Sequence, residues 1–283
     1  MRYLNIFFVV LLLVTCKNNT DSPDVVDFCC CENDENHTSI ADYWSCEQLL
    51  DTAGLKLYPF EPLTDEEWRQ LNYASKLERR QIPADYISGM STKALFYQFV
   101  YTELSHNFGV FNHIQGGVES CNRLNMFTTL LNRLNAGCTL IEILKHINPF
   151  DICDDGKEWP EPNCWWFYYC LQVIIGQPEV INNMTDADID NYIIQQMRFQ
   201  EAVRSLSESD PYHWGYCMSL GQILYGFYNI LIRNKYEPFI QYIENDEYNI
   251  DWLMTNHGEI RGCNENITLI LIDYIKQFKY SKK

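Results

Sequence analysis

The sequence predicts an all-α fold, an array of about ten short to medium antiparallel helices, stacked in a solenoid-like manner or as an irregular bundle. Three observations predict it. Apolar residues recur at helical spacing, as in the stripe Leu124, Phe127, Leu131 and Leu134. Capping residues and Gly or Pro breaks bound one segment after another. No hairpin signal interrupts them.

The amino terminus, MRYLNIFFVVLLLVTC, has a basic start at Arg2 and an apolar run from Ile6 to Val14. A bilayer crossing needs about 20 apolar residues, so the run reads as a secretory signal. It ends at Leu13-Val14-Thr15-Cys16, which resembles a bacterial lipobox, with Thr where Gly, Ala or Ser is usual. Residues 1–16 are therefore expected to be a lipoprotein-type signal peptide ending at the lipid-acceptor Cys16. Residues 17–40 form a polar tether, and the lipid would hold the protein on a membrane face without crossing it.

Residues 41–150 make the first helical part of the body. Tyr43, Trp44, Cys46, Leu49 and Leu50 suit a short helix or turn, broken at Gly54. LKLYPFEPL, from Leu55 to Leu63, is extended because a residue before Pro avoids the helical region. Thr64 with Glu67 is a capping box that opens a helix through Trp68, Leu71 and Leu77, ending near Arg80. Ser91 caps a helix that buries Leu95, Phe96, Phe99 and Val100. Gly109 and Gly116-Gly117 read as turns around a short helix carrying Val110, Phe111 and Ile114. The next helix, from about Asn122 to Asn135, should stop at Gly137 as its C′ residue. Thr139 with Glu142 then reads as a second capping box, opening a helix that Pro149 ends.

Residues 151–163 are an acidic Pro/Gly loop, followed by the second helical part, 164–283, which is expected to form one continuous domain with 41–150. CWWFYYCLQVII, from Cys164 to Ile175, is apolar on nearly all sides and reads as a central, wholly buried helix. A buried strand is the rival, since aromatic and β-branched residues abound; the helical neighbours favour the helix. A helix from Thr185 to about Leu206 places Ile189, Ile193, Met197 and Val203 on one face. Asp210-Pro211 caps a long helix through Leu231, two shorter segments follow, and a last helix runs from about Asn264 to Tyr280.

Composition bounds the function. Hydrophobic residues at 47% and aromatics at 14% indicate a folded globular chain, and the net charge of -17 with no basic stripe argues against nucleic-acid partners. If Cys16 carries lipid, eleven of the 12 cysteines remain, an odd number that cannot pair completely within one chain. Cys153 and Cys164 flank the acidic loop and are the expected disulfide; Cys121, Cys138, Cys170 and Cys217 lie in helical patterns and read as small core residues.

No recognisable catalytic constellation emerges, and no cofactor or metal is implied. His213 and Cys217 stand four apart but lack a second ligand pair, and Cys29 to Cys31 with His37 lie in the leader. Asp186, Asp188 and Asp190 imitate half a calcium loop but lack its Gly and its bidentate Glu, so they read as acids at a helix start. Ser105, His106, His113 and Cys121 offer a nucleophile and a base without any surrounding signature. Glu142 and His146 are an i, i+4 pair. Among the aromatics, Trp159 with Trp165 or Trp166 is the candidate exposed cluster for contacting a glycan or a partner protein.

Tyr58-Pro59, Glu66-Glu67-Trp68, Gln81-Ile82-Pro83, Met90-Ser91-Thr92-Lys93-Ala94-Leu95 and the block from Phe127 to Pro149 together resemble a group of uncharacterised lipoproteins of gut Bacteroidetes. The resemblance covers residues 55–150 and implies a helical fold in the cell envelope, on the outer membrane, without supplying an activity. The expected function is a non-catalytic interaction or binding module whose partners are the membrane, through its lipid, and envelope proteins or glycans. An envelope hydrolase using an acidic inter-helical cleft and a glycan-binding accessory protein are the alternatives.

Overall fold

The structure is a computed structural model that describes residues 43–110, 113–149, 164–209, 214–245, 249–257 and 265–282. Among these residues the regular structure is entirely helical, without a β-strand. In chain order the helices are α1 (Cys46–Leu50), α2 (Asp65–Gln70), α3 (Tyr73–Arg79), α4 (Ala84–Ser88), α5 (Thr92–Val100), the 3-10 turn Glu103–His106, α6 (Asn107–Val110), α7 (Ile114–Cys121), α8 (Asn125–Asn132) and α9 (Ala136–Lys145). They continue with α10 (Cys164–Ile175), α11 (Pro178–Asn183), α12 (Asp186–Ser209), α13 (Trp214–Arg233), α14 (Glu237–Ile243), α15 (Ile250–His257) and α16 (Glu265–Ser281).

The count exceeds the expected ten because local caps cut segments that periodicity alone would join. The helix anticipated from Thr64 to Arg80 breaks at Leu71: the Asn72 side chain accepts from the Ser75 backbone N–H and starts α3 afresh. The Thr64–Glu67 capping box is formed, as is one that the residue pattern did not flag, Ser45 with Gln48. Thr185 and Asp188 close a third at the start of α12, so Asp188 is an end-cap and not half of a calcium loop.

Two expectations fail between Asn107 and Lys145. Gly116 and Gly117 are not turn residues but lie inside α7, where Gly117 touches α6 so closely that a Cβ would sit 2.7 Å from both Asn107 O and Phe108 Cα. Gly137 is likewise inside α9 and not a C′ stop; α9 starts at Ala136, so the Thr139–Glu142 pair lies within the helix and caps nothing. Leu134 falls in the short link between α8 and α9 and is 67% exposed, while Leu124, Phe127 and Leu131 are buried as their spacing requires.

α10 is the hub. It packs against α1, α5, α9, α11 and α13, and eleven of its twelve residues are buried, as its apolar sequence on all sides demands. A solenoid, in which each unit touches only its neighbours, is therefore not what forms. One hydrophobic cluster runs from Leu49 to Phe278 through α10, an irregular bundle. The segment 55–63 lies extended over α4 and α5: Tyr58 N–H donates to Gln98 Oε1 (2.6 Å), and Tyr86 Oη donates to Leu57 O (2.6 Å).

Many short helices mean many carbonyl ends buried without an intrahelical partner. Side chains from other helices close them. Arg133 Nη2 donates to Ile87 O and Met90 O beyond α4; Arg198 Nη2 donates to Leu144 O (3.3 Å) and Ile147 O (3.1 Å) beyond α9. Arg233 Nη2 donates to Met184 O (2.6 Å) after α11, and Asn229 Nδ2 to Gly176 O (2.8 Å) after α10. Tyr97 and Tyr101 on α5 donate to Leu49 O and Leu50 O at the end of α1.

The expected Cys153–Cys164 disulfide is replaced. Cys164 is bonded to Cys46, 118 residues away in sequence, because the buried Leu49 and the Tyr97 cap seat α1 against the start of α10 with the two Cα atoms 5.6 Å apart. Cys153 lies outside the described residues. Cys121 and Cys170 are buried thiols, and Cys138 is buried within α9.

Two outcomes are expected. Non-reducing peptide mapping should find the Cys46 peptide joined to the Cys164 peptide, and Cys46→Ser should lower stability by about 2–5 kcal/mol for a loop of this size; a Cys153–Cys164 peptide would contradict the pairing. Arg198→Met keeps an unbranched apolar side chain but removes the guanidinium, which lies over the Tyr43 and Phe199 rings and donates to two carbonyls. It should cost roughly 1.5–3 kcal/mol in urea unfolding, the range for a hydrogen bond from a charged group.

Candidate functional site

Of the residues that the sequence nominates, Cys164, Trp165, Trp166, Ser105 and His106 meet at the amino end of α10, beside the disulfide. Trp165 is half-buried and stacks on Tyr169, one turn on, with ring centroids 5.4 Å apart and planes 9° from parallel. Trp166 points inward. It is only 8% exposed, so it is a core residue and not the exposed recognition aromatic expected of it. The reason is geometric: successive residues on a helix point about 100° apart, and Trp166 shares the face of Cys170, which is wholly buried. Trp159 lies outside the described residues.

The 3-10 turn Glu103–His106 forms the facing wall. Trp166 Nε1 donates to Ser105 Oγ (3.1 Å), and Ser105 Oγ donates to Val100 O (3.2 Å). His106 stacks on the Trp166 ring at 4.6 Å and 17°. Its Nδ1 lies 3.0 Å from Glu103 O, and since a carbonyl only accepts, the ring proton sits on Nδ1. Burial pushes the His106 pKa down to about 4, against the opposing pull of the Glu103 carbonyl and carboxylate, so the imidazole is neutral at pH 7. The Glu103 carboxylate is occupied by Arg80, whose Nε and Nη2 donate at 2.9 and 2.8 Å. Arg80 is itself stacked between Phe60 and Trp68, 5.0 and 4.8 Å from their rings.

This arrangement holds rings; it does not relay protons. Ser105 and His106 are adjacent in sequence, but the Ser105 proton goes to Val100 O and the His106 Nδ1 proton to Glu103 O, so neither serves the other. His113 caps α7, its Nδ1 accepting from Gly116 N–H (3.0 Å). Cys121 lies on α7 with Sγ 3.5 Å from Leu104 O, and burial pushes its thiol well above the ordinary range, which keeps it protonated. His146 approaches Glu142 at 3.6 Å, as the i, i+4 spacing implies, while its ring stacks on Trp44 at 4.1 Å. Cys16, Cys29 to Cys31, His37 and His213 lie outside the described residues, and the Cys217 side chain does too.

Sequence reasoning missed a second cluster deeper in the body. Gln172 on α10, Gln196 on α12 and Gln222 on α13 are all completely buried, each at 0% exposure. Gln196 Nε2 donates to Gln172 Oε1 (2.6 Å). α12 and α13 run antiparallel, since Arg233 reaches Met184 O at one end and Tyr192 lies against Gly226 further along, where a Cβ would overlap the tyrosine hydroxyl. One turn beyond that contact the same register brings Gln196 level with Gln222. A signal was present: Gln172 is the single amide in the apolar run of α10. Helical spacing does not reveal which partners a lone amide will meet. Each buried polar atom left without a partner costs about 1–3 kcal/mol, so such a cluster is not neutral filler.

Comparisons with protein-family models, curated proteins and solved structures return no match.

The depressed His106 pKa has a measurable consequence. In the unfolded chain the imidazole titrates near 6.5, and in the folded protein near 4. The unfolded state therefore binds the proton first as pH falls, and the stability present above pH 6.5 is lost progressively between 6.5 and 4. His106→Phe preserves the stack on Trp166 and abolishes that titration. The urea midpoint of the variant should change less between pH 7 and pH 5 than that of the wild type; parallel pH profiles would refute the assignment.

Proposed function

We propose that this is a lipid-anchored protein of the cell envelope, held on the outer membrane by lipid on Cys16, whose helical body is a non-catalytic interaction module. The observation that carries the compartment is the Cys46–Cys164 disulfide. A bond between the first helix and the central one belongs to an oxidising compartment, since cytosolic thiols are kept reduced. The signal-like start at residues 1–16 and the polar stretch 17–40 agree with that placement. No described helix is long and apolar enough to cross a membrane, so the described body itself supplies no membrane-spanning helix.

The interaction role rests on the amino end of α10. Trp165 keeps part of its ring accessible while Tyr169 stacks behind it and the neighbouring disulfide holds the helix start in place. A rigid, partly accessible indole is a good contact for a partner protein or a sugar face, and it costs little ordering entropy on binding. The polar groups around it are engaged in holding the scaffold: the Glu103 carboxylate by Arg80, the Ser105 hydroxyl by Val100 O and Trp166.

Metabolic labelling with a palmitate analogue tests the anchor. Wild-type protein should incorporate label and fractionate with membranes, and Cys16→Ala should lose both properties. Equal labelling of the two would sink the proposal.

A further inference from the structure

The buried glutamines carry an inference about a binding site inside the body. The Gln172–Gln196 bond uses one oxygen and one nitrogen, leaving Gln172 Nε2 and Gln196 Oε1 without a partner. Exchanging the oxygen and nitrogen of both amides changes nothing, because one carbonyl and one amino group remain unpaired either way. Both amide atoms of Gln222, level with Gln196, are also unpaired, and the Tyr192 hydroxyl, one turn from Gln196, lies within reach of the Gln196 side chain. These are two amino groups, two carbonyls and a hydroxyl on three helices, all wholly buried. Their chemistry is balanced: donors and acceptors are both present, and none of them is charged.

A neutral set with both donors and acceptors does not select a metal or an anion. It suits a guest that donates and accepts equally and is small enough to sit between packed helices. We propose that Gln172, Gln196, Gln222 and Tyr192 form an internal water-binding site between α10, α12 and α13. A buried water makes about three hydrogen bonds to otherwise unsatisfied groups, and the unpaired amide atoms of Gln172, Gln196 and Gln222 offer donors and acceptors for them. Gly226 contributes by bringing the α13 backbone against the Tyr192 hydroxyl, which holds that end of the seam closed. The site also fixes register. A slide of one turn between α12 and α13 would carry Gln222 away from Gln196 and into apolar surroundings, the same device by which a single buried Asn aligns a coiled coil.

The test uses the full-length protein and two measurements. A crystal structure at a resolution that shows ordered solvent should place at least one water oxygen within hydrogen-bond distance of Gln222 and of a second member of the set. Oxygen-17 relaxation dispersion in solution should detect that water as long-lived. Gln222→Met, which keeps the volume and removes both amide atoms, should reduce the dispersion amplitude; Tyr192→Phe, a milder change, should reduce it as well. Direct amide-to-amide bonding of Gln222 with Gln172 or Gln196, with no oxygen between them, would overturn the proposal. A dispersion amplitude unchanged in a folded Gln222→Met would do the same. Should Gln222→Met fail to fold, the wild-type crystal structure and Tyr192→Phe decide the matter alone.

Discussion

Buried helix ends are the constraint on which this structure depends. A chain cut into many short helices multiplies the carbonyl groups that have no partner in their own helix, and those that meet another helix need a donor from it. The chain answers with long side chains sent from other helices: Arg133 to the end of α4, Arg198 to α9, Arg233 to α11, Asn229 to α10, and Tyr97 and Tyr101 to α1. Each such bond spans tens of residues, so closing a helix end also fixes which two helices are neighbours. Local satisfaction and long-range topology become the same event. The guanidinium groups suit the task because cations are favoured at the negative end of a helix.

α10 gains its central position from the same logic. Its surface is apolar on nearly every side, so it can be stable only where other helices cover it all round. The disulfide at its first residue and the Asn229 bond just beyond its end tie the two ends of α10 to α1 and α13. Around its amino end, Trp165, Trp166, Tyr169 and His106 stack into one aromatic group, leaving part of Trp165 accessible. A recognition surface placed on such an element is preorganised.

Much of the fold was legible because helix signals are local. The capping box at Thr64, the Ser91 cap and the unbroken apolar run of α10 are each read from a few consecutive residues. Misreadings arose where a local signal has two meanings. Gly137 and Gly117 look like punctuation, yet both lie within helices, Gly117 because α6 passes too close for any Cβ. Leu134 matches the apolar period and is nonetheless exposed, because the helix that would have turned it inward ends at Asn132. At the candidate site, the sequence singled out Trp165 and Trp166 but not which of them faces inward. Cys164 is bonded to Cys46 and not to the cysteine near it in sequence, since nearness in sequence is a poor guide to a partner chosen by packing.

By itself, then, the sequence determined the helical class, the buried character of α10 and several helix starts, because hydrophobic period and capping act over one or two turns. Only the tertiary structure decided the Cys46–Cys164 pairing, the inward turn of Trp166, the neutral His106 and the bond between the buried Gln172 and Gln196. All four depend on which faces of distant helices come together. That is settled by burying a shared apolar surface and by closing the last carbonyls of each helix, and neither has a signature within any one segment.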